Sequence, residues 1–101
     1  MKKSKIEIPK KRLAEFCRTH GIQTLSLFGS VLRDDFSPES DIDVLVEFKP
    51  DTRVGLIRLG RLENELRSIL GRNVDLNTPG FISKYFRSEI MAEREIQYAE
   101  A

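Results

Sequence analysis

The sequence predicts an α/β (α+β) domain, a small mixed β-sheet with helices packed on one face. Two observations predict it. Helical and strand periodicities alternate in the order α-β-turn-β-α-β-α, and each predicted strand is short with its apolar residues on one side. No repeat or low-complexity linker interrupts the 101 residues, so residues 1–101 read as a single domain.

Pro9 suits the first position of a helix, where its missing N–H would have no partner anyway, and Leu13, Phe16 and Cys17 follow at helical spacing until Gly21. Thr24-Leu25-Ser26-Leu27-Phe28 alternates polar and apolar residues, as a half-buried strand does, and Gly29-Ser30 breaks it. A short helical turn and a loop around Ser37-Pro38 fill residues 31–40. The run from Asp41 to Phe48 is the strongest strand, closed by Lys49-Pro50-Asp51. From Val54 to Leu70, apolar residues recur at threes and fours, which argues a long amphipathic helix with Gly71 as its left-handed stop. Asn73 to Asn77 is a third strand. The tail from Phe81 to Ala99 returns to helical periodicity through Ile82, Tyr85, Phe86, Ile90 and Ile96, so helix is expected there.

Composition narrows the class. With 40% apolar and 33% charged residues, the chain can bury one core but cannot house separate nucleotide, acceptor and regulatory domains. Its apolar runs are too short for a membrane helix, and the basic start, Met1-Lys2-Lys3-Ser4-Lys5, lacks the apolar stretch of a secretory signal. The single Cys17 excludes an internal disulfide and fits a reducing cytosol, so a cytoplasmic location is expected. Seventeen basic residues nearly balance sixteen acids, but the charges segregate. Residues 1–20 hold seven basic side chains against Glu7 and Glu15, whereas residues 34–51 hold seven acids against Lys49 alone.

Strand alternation places those acids. Ile42, Val44, Val46 and Phe48 share one face, and Asp41 and Asp43 share the other; Val74 and Leu76 likewise oppose Asn73, Asp75 and Asn77. If the strands are neighbours in register, three carboxylates converge on an open, acidic face. Two carboxylates about 4 Å apart repel by roughly 4 kcal/mol at an effective dielectric near 20, so a positive species belongs among them. No neighbouring Lys or Arg of the strand can fill that place. A hard divalent cation with oxygen ligands can, and Mg²⁺ favours one or two carboxylates with phosphate oxygens and water. Gly29-Ser30, between a strand and a helical turn, offers backbone N–H groups and a hydroxyl for phosphates.

Leu27-Phe28-Gly29-Ser30, ten residues, then Asp41-Ile42-Asp43 resembles the nucleotidyltransferase signature of the DNA polymerase beta superfamily. The short length, the block Ser40 to Phe48 and the block Leu70-Gly71-Arg72-Asn73-Val74-Asp75-Leu76 are similar to the minimal nucleotidyltransferases, which include MntA-type antitoxins of HEPN/MNT pairs. The resemblance covers most of residues 22–98 and implies a nucleotidyltransferase fold. It implies Asp41, Asp43 and Asp75 as catalytic carboxylates and metal ligands, and Gly29 and Ser30 as contacts to the nucleotide phosphates. Many relatives carry Arg-Gly in the turn after Gly-Ser; here Arg33 is followed by Asp34.

The resemblance further implies an Mg²⁺-dependent enzyme, with two ions, that transfers AMP from ATP to a tyrosine of a partner HEPN ribonuclease toxin, in a possible hetero-oligomer. Two alternatives stand beside it: an antitoxin that neutralises its toxin by contact without turnover, and a transferase for small molecules of the aminoglycoside type, whose relatives carry an extra helical domain. His20 reads as a charge partner at the end of the first helix, Cys17 as core, and the basic N-terminus as a solvated tail. The helical stripes, Tyr85, Phe86 and Ile90 included, read first as core. No interleaving of basic and aromatic residues suggests sequence-specific nucleic-acid binding.

Overall fold

A computed structural model describes residues 6–33, 36, 37 and 39–100. The first five residues of the basic N-terminus, Asp34 of the predicted turn and Pro38 of the predicted loop lie outside the described residues. The elements run α1 (Lys10–Thr19), β1 (Ile22–Phe28), a 3-10 turn (Gly29–Leu32), β2 (Ile42–Phe48), α2 (Leu56–Leu70), β3 (Val74–Asn77), a second 3-10 turn (Pro79–Phe81), α3 (Lys84–Glu93) and β4 (Glu95–Ala99). Pro9 stands one position before the first helical residue, at the N-cap of α1, and Gly71 ends α2 with φ 67°. Among the described residues no helix is long and apolar enough to cross a membrane.

The four strands form one mixed sheet in the order β3-β2-β1-β4. β1 runs antiparallel to both β2 and β4, and β2 runs parallel to β3, with α2 as the crossover a parallel pair needs. Leu13, Phe16 and Cys17 of α1 and Leu62 and Leu66 of α2 bury themselves against Ile22, Leu25, Leu27, Ile42, Val44, Val46 and Val74. Each such side chain stabilises the fold by about 1.5–3 kcal/mol on leaving water. Cys17 is core as expected, and burial pushes its thiol up to about 12. His20, its ring 5.0 Å from that of Phe16, pairs with Glu65 at 3.3 Å.

Three expectations are corrected. The tail is not one helix: α3 stops at Glu93, Arg94 takes an extended conformation, and β4 pairs with β1. The register slips between the pairs Leu25–Tyr98 and Ser26–Ile96, a bulge at Gln97, so Tyr98 reaches the main core while Ile96 stays half exposed on the other side. Helices also do not pack on one face alone. α1 and α2 do, but Phe28, Leu45 and Ile82 form a second cluster with Ile90 and Met91 of α3 on the opposite face. The acidic face is therefore partly covered. Leu56, Ile57, Tyr85 and Phe86, read from periodicity as core, are exposed.

Candidate active site

β1 delivers the chain to Gly29, where the backbone turns left-handed with φ 75°. The conformation needs glycine, and a Cβ there would meet Oδ2 of Asp43 and force that carboxylate to shift. The contact arises from register: Phe28 lies opposite Asp43 across the antiparallel pair, so the residue after Phe28 must pass directly over the Asp43 side chain. Ser30 follows in the 3-10 turn, and its carbonyl accepts the Arg33 N–H at 2.8 Å.

On the other side of β2, the parallel register pairs Asp43 with Asp75. Asp41 stands just before β2, exposed, and Asp75 is exposed on β3, whereas Asp43 is partly buried between them. Burial raises the Asp43 carboxyl to about 6, with further upward pushes from the charges of Asp75 and Asp41 and an opposing pull from Arg33. All three predicted carboxylates and the Gly29-Ser30 turn thus meet at one end of the sheet. Among the described residues, no three acidic, histidine or cysteine side chains close tightly enough to hold an ion between them.

Arg33 was legible only as a departure beside Asp34. Its guanidinium pairs with Glu93 of α3 at 3.2 Å while its field reaches Asp43, so the last turn of α3 holds a cation beside the acids. Ser26, on the same sheet face as Asp43 and Leu45, is fully buried with no partner for its hydroxyl among the described residues. The alternation in β1 was the signal that placed Ser26 on this face; nothing in the sequence showed that it would be fully buried there.

Residues 10–97 match the family model of the nucleotidyltransferase domain. The chain belongs to this family. A Methanocaldococcus jannaschii protein named as a putative protein adenylyltransferase is 36% identical to this nucleotidyltransferase over 84 residues, 83% of this chain and 88% of that one. The protein adenylyltransferase MntA of Thermococcus cleftensis is 36% identical over 56 residues, 55% of this chain and 54% of that one. Among solved structures, a toxin–antitoxin with AMP-PNP superposes with a TM-score of 0.74 at 21% identity, covering 92% of this nucleotidyltransferase and 75% of that chain. A tri-AMPylated Shewanella oneidensis HEPN toxin in complex with an MNT antitoxin superposes at 0.65 and 22%, covering 90% and 70%. At such identities the likeness shows the fold, and the sheet order and strand directions of this chain belong to it.

Proposed function

We propose that this nucleotidyltransferase is a cytoplasmic protein adenylyltransferase, a single-domain antitoxin that transfers AMP from ATP to a tyrosine of a partner HEPN ribonuclease toxin. The observation that carries the reading is the passage of Gly29 over the Asp43 carboxylate with Asp75 beside it on β3. A turn whose backbone N–H groups and Ser30 hydroxyl suit phosphates is thereby fixed against a set of hard oxygen ligands. Relatives named as protein adenylyltransferases support the choice of transfer, and the solved toxin–antitoxin pairs support the choice of partner.

In its chemistry the donor set suits Mg²⁺, since three carboxylates are the hard oxygen ligands that this ion takes. Asp41 and Asp43 would hold both ions and Asp75 the one on the acceptor side; bound there, the ions would neutralise the triphosphate and stabilise charge on the attacking and leaving oxygens. Ser30 and the N–H groups after Gly29 hold the departing phosphates. The tyrosine oxygen bonds to the α-phosphorus, the bond from that phosphorus to pyrophosphate breaks, and the phenolic proton passes to Asp75. Positioning supplies most of the acceleration, because phosphoryl chemistry asks little covalent work of the protein. The exposed Leu56, Ile57, Phe81, Tyr85 and Phe86 offer apolar surface for the toxin to cover.

The test is incubation with Mg²⁺, ATP labelled at the α-phosphate and the protein encoded next door, followed by intact mass. A gain of adenylyl groups on that neighbour is expected. Replacing Asp41 and Asp43 by Asn should abolish both transfer and neutralisation with the pairing intact; full neutralisation by that variant would establish inhibition by contact instead.

A further inference from the structure

Arg72 is the residue the site description leaves unused. Gly71 reverses the chain at the end of α2, its N–H bonded to the Arg67 carbonyl at 2.8 Å, and sends Arg72 toward the segment that leads into β2. There the guanidinium lies 4.5 Å from the centre of the Phe36 ring. Its Nη2 donates to the Ser37 carbonyl at 2.7 Å and to the Ser40 carbonyl at 3.2 Å. Among the described residues it has no carboxylate partner.

Three further bonds tie the same short stretch. The Ser37 carbonyl also accepts the Ser40 N–H at 3.0 Å, the Ser37 N–H donates to the Ser40 hydroxyl at 3.1 Å, and the Ile42 N–H donates to the Asn73 carbonyl at 2.9 Å. Residues 72 and 73 thus hold the main chain on either side of Asp41, at the carbonyl before it and at the N–H after it. Asp41 itself is exposed and receives no hydrogen bond among the described residues, so its placement depends on the backbone that carries it. Charge-assisted bonds are about twice as strong as neutral ones, and a planar guanidinium can reach two carbonyls while stacking on a ring.

We infer that Arg72 is a positioning residue: by clamping the Ser37 and Ser40 carbonyls from beyond α2, it fixes the backbone that presents Asp41 to the nucleotide. This rests on the adenylyltransferase reading for its catalytic consequence, and on geometry alone for the clamp.

The clamp is measured by amide hydrogen exchange in the ligand-free protein. Arg72→Met keeps the stem against Phe36 but removes both donors, and exchange at Ser40 and Ile42 should quicken about tenfold or more while amides of β1 stay as they were. Arg72→Lys, able to serve one carbonyl, should recover most of that protection. In the transfer assay Arg72→Met should lower kcat about tenfold and change KM for ATP less than about threefold, with partial recovery in Arg72→Lys. Unchanged exchange at Ser40 and Ile42 overturns the clamp, and quickened exchange with unchanged kcat overturns the positioning role. A wild-type chain that transfers nothing refutes the adenylyltransferase reading instead, and the exchange result still decides the clamp.

Discussion

Asp43→Asn should make the free protein more stable while removing its activity. The Asp43 carboxyl is raised from 3.8 to about 6, chiefly by burial and then by Asp75 and Asp41. Between those two pH values the folded chain holds more protons than the unfolded one, so stability falls as pH rises through the window and remains lower above it. A rise of that size corresponds to about 3 kcal/mol, and solvent screening at this partly exposed group reduces it to about 1–2 kcal/mol. Asn keeps the shape without the charge. At pH 7.5, in chelator, the variant should melt about 4–16 °C higher, at about 4–8 °C for each kcal/mol in a domain of this size. At pH 3.5 the difference should vanish, because Asp43 is then protonated in the wild type. Thermal unfolding followed by circular dichroism at pH 3.5, 5 and 7.5 measures this. An Asp43→Asn variant that melts at or below wild type at pH 7.5, or a gain that persists at pH 3.5, would refute the assignment of Asp43 as an electrostatically crowded carboxylate.

Gly29→Ala should destabilise the fold by about 2 kcal/mol or more in urea unfolding, since a left-handed conformation costs about 1–2 kcal/mol without glycine and the new Cβ meets Asp43 as well. Leu66→Ala, removing a fully buried side chain where α2 meets the sheet, should cost about 2–5 kcal/mol in the same experiment. Cys17, with its thiol pushed up to about 12 and no exposed surface, should react with a thiol reagent at pH 8 only at the rate of unfolding, which stopped-flow labelling in graded urea would show.

Local rules reached most of this fold because the elements that matter are strongly periodic. β2 carries Ile42, Val44 and Val46 on one face, and that pattern specifies which way Asp41 and Asp43 must point. The tail failed for the converse reason. Ile82, Tyr85, Phe86 and Ile90 set a helical beat, and the five residues of β4, with a bulge between Ile96 and Tyr98, are too few and too irregular to outweigh it. What makes β4 a strand is a vacant edge of β1, which no local window contains. Arg72 escaped for a related reason: its partners are main-chain carbonyls 32 and 35 residues away, and carbonyls have no signature in a sequence.

The placement of the site follows from a conflict between what the sheet needs and what the chemistry needs. Apolar packing is complete on the face beneath α1 and α2, and Leu45, Phe28 and Ile82 extend it along part of the other. A continuation of that second cluster toward Gly29 would have been the more stable arrangement, since an apolar residue at position 43 would add burial and remove a charge. Instead β2 begins in acids, β3 sets Asp75 in register with Asp43, and the turn that passes over Asp43 is a left-handed one built on glycine. Each of these choices costs the free protein stability, and together they converge where β1, β2 and β3 meet. Under the proposed function, a bound cation would offset the repulsion among these carboxylates, so the cost to the free protein would be recovered when the site is loaded.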